Sequence, residues 1–398
     1  VPDLRYRVLV VSSHPIQYAS ANFQEMARHP RFDLKVAYCS LHGAEPALDP
    51  EFGTTVQWDI PLLDGYDWIQ VPIRGNNDDS SWALWNPGLW KLIRTGQFDA
   101  VLCYLSYRYL SFWISYFASK LTGSVFLFGC DQHSLLPRDG RAWKSWLKKL
   151  GWPLLYSLAD QVTVSSNPAR SLILTLGIPE QVVTLVPLTV DNGWWDAQVE
   201  EVDRAATRAV WGANSQTSVV LFCAKLQPWK RPMDILRAFV QADLPDALLV
   251  YAGEGAQRQE LEKEAAALKV GKRVRFLGFV NQSQLPAVYA AADLMVLPSE
   301  YEPFGVVVNE ASCCGCPVVA SDRVGAARDL IAPVDPRLIY PCGDLRALAT
   351  LLSELCSDHG RLHELGRAAK GHMASWSPHD TAAGTVEAVG AALRRRHR

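Results

Sequence analysis

The sequence predicts an α/β fold of two Rossmann-like, doubly wound parallel-sheet units facing a cleft. Three observations carry that expectation. Short apolar strand runs alternate with helix-period segments through residues 7–165, and the alternation restarts at 218 and continues to 320. It breaks once, at 185–193, where Pro187 and Gly193 punctuate a short polar stretch. Polar loops bearing His, Asp, Lys and Gly follow several of the strand runs, where open α/β sheets bind ligands.

In the first half, a strand at 7–11 runs into the polar loop 12–15, followed by a helix pattern through Phe23, Met26 and Ala27. A strand at 34–38, a helix at 87–93, a strand at 100–103 and a helix at 112–121 come next, then strands at 124–128 and 161–165. The second half reads as strands at 218–223, 247–251, 274–277, 294–297 and 317–320. These readings give domains at 1–190 and 191–375, followed by a helical segment at 376–398. The terminal basic run 394–398 reads as a frayed helix end.

Composition narrows the function classes. The 398 residues are 49% hydrophobic and 20% charged, enough to bury two cores. A net charge of −2 argues against a broad nucleic-acid surface. The apolar stretch 110–130 is interrupted by Lys120, Thr122 and Gly123, so it parses as helix plus strand rather than a membrane span. No secretory signal pattern is visible, and nine scattered cysteines suit buried, reduced thiols, so a cytoplasmic protein is expected.

The sharpest chemistry lies in Ser299-Glu300-Tyr301-Glu302-Pro303-Phe304-Gly305-Val306-Val307-Val308-Asn309-Glu310. A helix starting at Gly305 offers unpaired N–H groups and a dipole end suited to phosphate. Glu302 then stands beside one end of such a ligand, and Glu310 ~8 Å along the helix, about the reach from a diphosphate to a ribose. Carboxylates so placed accept hydrogen bonds from sugar hydroxyls, which reads as a nucleotide-sugar site. Ahead of it, Lys225, Lys230 and Arg231 crowd the loop after the 218–223 strand, either a set able to neutralise a leaving diphosphate or a solvated cluster at a helix start.

The remaining constellations are weaker. Gly253 sits in a glycine turn after a strand, in a stretch that lacks the third small residue of a dinucleotide fingerprint. The backbone at Phe279 and Val280, at another strand end, is either a candidate to meet a base edge or a plain loop. Cys313 and Cys316 have a CxxC spacing without a second ligand pair, so helix-end packing is the better reading, and no metal site is expected. On the first half, His14, Gln17, Asp131 and His133 follow strand ends, with Asp131 and His133 as rival acceptor-side groups. The basic, Trp-containing segment 138–152 starts a stripe of Trp143, Trp146, Leu147, Leu150 and, just beyond it, Leu154 among five cations, a candidate for peripheral contact with an anionic membrane or for packing on its own domain.

Together these residues resemble the retaining glycosyltransferases of family four, with the GT-B fold. The resemblance rests on EPFGVVVNEASCCGCPVV at 302–319, AKLQPWKRP at 224–232, AGEG at 252–255, FLGFV at 276–280 and YAAADLMVLPS at 289–299. The first half adds SHPIQY at 13–18, NPGLWKLI at 86–93 and GCDQHSLLPR at 129–138. It implies that Lys225 and Lys230 hold the diphosphate, and that Glu302 with the amides around Phe304, Gly305 and Val306 binds the transferred sugar. It also implies that Glu310 binds the ribose and the backbone near Phe279 and Val280 the base. Lys225 replaces a common Arg, and residues 12–17 replace the Gly-Gly loop of many members. The reaction implied is front-face displacement with retention, using a nucleoside-diphosphate sugar, most simply a UDP-sugar, and an acceptor hydroxyl. No tightly bound cofactor is expected, and Asp78-Asp79 reads as surface loop. The last segment would cross back to the first domain. A sugar-nucleotide epimerase and a non-catalytic nucleotide-sugar binder are the rival readings.

Overall fold

The computed structural model describes residues 5–49, 51–74 and 84–396; Asp78 and Asp79 lie outside them. The chain divides into two compact units. The first holds the chain up to Ala47, Pro61–Val190 and everything from Ser377 onward; the second holds Leu48–Ile60 and Asp191–Trp376. Residues 48–60, assigned from sequence to the first domain, therefore belong with the second unit.

The first unit is built on seven strands: β1 (Tyr6–Ser12), β2 (Phe32–Tyr38), β3 (Asp67–Gln70), β4 (Ala100–Cys103), β5 (Val125–Cys130), β6 (Gln161–Val164) and β7 (Val183–Leu185). They lie in the order β3-β2-β1-β4-β5-β6-β7, every pair parallel. Strands β4 and β6 are buried throughout; β4 accordingly reads as an unbroken apolar run, while β6 buries Gln161 and Thr163 among its valines. The apolar stretch 110–130 is indeed a helix, Leu110–Thr122, and then β5. Helix Pro378–Arg396 packs on this sheet, placing Ala382, Ala388, Val389 and Ala392 in one core with Val8, Val10 and Leu127. Its arginine end is no frayed tail: Arg395 donates to the Gln181 carbonyl at 2.6 Å, to the Asp160 carbonyl and to Gln161.

The second unit repeats the plan with six parallel strands: β8 (Ser218–Cys223), β9 (Ala247–Ala252), β10 (Val274–Gly278), β11 (Leu294–Leu297), β12 (Val318–Ser321) and β13 (Ile339–Tyr340). Their order is β10-β9-β8-β11-β12-β13. In both sheets the strand order reverses beside the first strand, between β1 and β4 and between β8 and β11. Loops leaving the carboxyl ends there diverge and open a crevice. Arg208, buried beside the β8–β11 pair, donates to the Ala291 carbonyl at 2.8 Å and to Asp293 at 3.0 Å, while Asp293 accepts from the Val219 amide at 2.7 Å. That network fixes the register at the reversal.

Candidate active site

Lys225 and Lys230 lie just beyond β8, and Glu302 just beyond β11, so the sheet itself delivers cations and carboxylate to the same reversal point of the second unit. Gly253, at the end of β9, lets this loop approach. Its φ is +149°, and a Cβ there would stand 2.0 Å from the Ala224 carbonyl oxygen. Lys230 is ion-paired directly with Glu302, both side chains being largely buried. Arg231 turns at φ +52° and is held by Asp234 at 2.6 Å and Glu300 at 3.3 Å, so it clamps its own turn.

The helix after the Pro-Phe-Gly turn begins later than the sequence suggested. It spans Val307–Cys313, with Gly305 outside it at φ +101°. Seven residues give a weak dipole, and the two lysines supply most of the positive field. A Cβ on Gly305 would crowd Glu302 Cγ and Val324 at 3.1 Å, so glycine keeps the carboxylate's seat open. Phe304 is buried beneath this turn. Glu310 points inward, 8% exposed, and accepts from the Tyr289 hydroxyl at 2.8 Å. Burial pushes its carboxyl up to about 7, against the opposing pull of the Tyr289 and Gln282 hydrogen bonds. Cys313, Cys314 and Cys316 are buried around the end of the same helix, and burial raises their thiols.

The unit's own 48–60 segment covers Lys225, an arrangement no motif in the sequence signals. Asp49 and Glu51 each approach the Lys225 ammonium at 3.0 Å, and the Phe52 ring lies 4.6 Å from it. Burial opposes the Asp49 charge, yet the Phe52 amide and Lys225 outweigh it and hold that carboxyl below its ordinary value. Phe52 and Trp58 pack on Phe279, with centroids 5.0 and 5.9 Å apart, and Asn281 donates to the Gln57 carbonyl at 2.8 Å. Thus Phe279 reaches the site through its ring, and Val280 follows at the end of β10.

In the first unit, Asp131 is the first residue past β5. It lines a pocket of about 140 Å³ with Ser12, Tyr18, Asn22, Tyr104 and Ser165. Desolvation raises its carboxyl and Ser165 pulls the other way. The residue itself opens to solvent, so the shift reflects crowding by protein atoms round the pocket rather than a sealed interior. The tyrosines and Ser165 were missed in the sequence because Tyr18 lies in the first turn of a helix while Tyr104 and Ser165 each follow a different strand. His133 lies two residues further along the loop and His14 bonds Ser13 Oγ at 2.9 Å; neither lines that pocket, nor does Gln17, which starts helix Gln17–Arg28. Among the described residues no group of three or more His, Cys, Asp or Glu side chains is gathered as a metal would require.

Two doubly wound sheets, one with cations and carboxylates at its strand-order reversal, define an α/β architecture of the kind that binds ligands in such crevices. Residues 203–372 match the family described as glycosyl transferases group 1, and residues 64–189 the glycosyl transferase 4-like domain. The chain belongs to this glycosyltransferase family, with the GT-B fold. It is 32% identical over 256 residues to a D-inositol 3-phosphate glycosyltransferase of Nocardia farcinica, covering 62% of this chain and 56% of that protein. An uncharacterized glycosyltransferase of Methanocaldococcus jannaschii is 31% identical over 187 residues, 47% of this chain and 48% of its own. The chain thus spans about half the length of these relatives. The Anabaena protein HepE, solved in complex with UDP and glucose, superposes with a TM-score of 0.72 at 17% identity, over 97% of this chain and 100% of its own. That likeness is one of fold.

Proposed function

We propose that this protein is a retaining glycosyltransferase that moves a hexose or N-acetylhexosamine from a UDP-sugar to an acceptor hydroxyl. The observation that carries the reading is the set Lys225, Lys230, Glu302 and Glu310 at the β8–β11 reversal of the second unit. Relatives named as D-inositol 3-phosphate glycosyltransferases and a fold neighbour solved with UDP and glucose support it.

Each group has a task that its chemistry suits. Lys225 and Lys230 stabilise charge that grows on the diphosphate as the anomeric C–O bond breaks. Glu302, prepositioned by Lys230, accepts from hydroxyls of the transferred sugar, with the amides of Phe304, Gly305 and Val306 alongside. Glu310 accepts from the ribose, and Phe279 and Val280 meet the base. The acceptor oxygen bonds to the anomeric carbon on the face the diphosphate leaves, and its proton passes to a phosphate oxygen. Charge balances without an enzyme nucleophile. Asp131, with its raised proton affinity, is the acceptor-side group of the first unit.

A thermal-shift panel of UDP-, GDP- and ADP-sugars tests the donor. Stabilisation by UDP-sugars foremost is expected, and a panel in which none stabilises the chain refutes the reading. Glu310→Ala and Lys230→Ala should each cut transfer strongly with the fold intact; wild-type turnover by both would remove the site assignment.

A further inference from the structure

Helix Ala142–Ser157 carries two apolar faces, and only one is used. Trp152, Leu155 and Tyr156 enter the core of the first unit. The other face, Trp143, Trp146, Leu147, Leu150 and Leu154, follows the i, i+3, i+4, i+7, i+11 spacing of a single stripe. These side chains are 49–73% exposed. An exposed stripe of two tryptophans and three leucines is far from the scattered single apolar residues of an ordinary surface.

The stripe continues onto the neighbouring helix Leu110–Thr122. Trp113 of that helix lines a groove of about 700 Å³ together with Leu147, Lys148 and Leu154, and Phe117, 56% exposed, packs on Trp113 at 6.3 Å. Charge surrounds the stripe in one sign. In sequence, Arg138, Arg141, Lys144, Lys148 and Lys149 outnumber the one carboxylate among them, Asp139, which pairs with Lys144 and with Arg141 at 3.7 Å, on a chain whose net charge is −2. Lys144 and Lys148 flank one edge of the stripe and Lys149 the other. Among the described residues no helix is long and apolar enough to cross a membrane. The stripe therefore suits the plane of an interface rather than its interior.

We propose that this face docks on the surface of an anionic lipid bilayer. Trp143 and Trp146 enter the headgroup region, Leu147, Leu150 and Leu154 reach the acyl boundary, and Lys144, Lys148 and Lys149 meet lipid phosphates. Charge complementarity selects this occupant over a second copy of the chain, because two such faces would bring ten cations together.

The test is co-sedimentation of the full chain with phosphatidylcholine vesicles, with and without a third of phosphatidylglycerol. Binding should require the anionic lipid and fall as salt rises. Trp146→Glu with Leu150→Glu should weaken it by at least about tenfold, and Lys148→Ala with Lys149→Ala by roughly fivefold per lysine. UDP-induced thermal stabilisation should stay as in wild type, because these residues lie outside the donor set. This keeps the outcome separate from that of the donor reading. Absent binding, equal binding to neutral vesicles, or binding unchanged in the Glu variant overturns the proposal. So does self-association by light scattering that the Glu variant abolishes.

Discussion

Asp49 and Glu51 hold the cation proposed to meet a donor diphosphate, so removing them should tighten donor binding. Both carboxylates stand 3.0 Å from the Lys225 ammonium, and the three side chains are 18–34% exposed. Each partly exposed pair is worth ~0.5–1 kcal/mol. A diphosphate that takes the same ammonium must displace both, a handicap of ~1–2 kcal/mol. Asp49→Asn with Glu51→Gln keeps the shape of the segment and removes its charge. The variant should bind UDP ~5–30-fold more tightly by isothermal titration calorimetry. The gain should shrink with added salt and be absent for uridine, which carries no phosphate. UDP binding that is unchanged or weaker in the variant would refute the competition.

Three further outcomes follow from single side chains. Glu310 has a folded pKa of about 7 against an ordinary 4.5, so the fold favours its protonated form. Its contribution to stability is then greatest below about 4.5, falls as pH rises toward 7, and is level above, a loss on the order of 3 kcal/mol. Glu310→Gln should flatten that slope in denaturant titrations, being more stable than wild type at pH 8 but not at pH 4, while binding UDP less tightly. Gly253→Ala meets the Ala224 carbonyl at 2.0 Å and should cost at least ~2–3 kcal/mol in chemical denaturation. Arg208→Ala strands buried carbonyls and part of Asp293, and should cost ~3 kcal/mol; a melting temperature within a degree or so of wild type would contradict it.

The central strands β4, β8 and β11 were readable because strands covered on two faces are rich in apolar residues, and these leave no other parse. The edge strands Asp67–Gln70, Val183–Leu185 and Ile339–Tyr340 were not, being short and partly exposed, with no pattern to mark them. The lysine and glutamate positions were legible as chemistry beside glycines. The cover over Lys225 was not, since Asp49 lies 176 residues away in sequence and only the tertiary fold joins them. In helix Ala142–Ser157 the stripe was visible, but two apolar faces compete there, and sequence does not say which one the core takes.

On the proposed reading, the second unit holds a nucleoside diphosphate between Lys225, Lys230 and the two glutamates. Calorimetric titration of the full chain with UDP, repeated for Lys225→Ala and Lys230→Ala, tests it most directly. Saturable one-to-one binding, weakened about tenfold or more by either substitution, is the predicted result. No binding of UDP, GDP or ADP, or affinities that neither substitution changes, would contradict it.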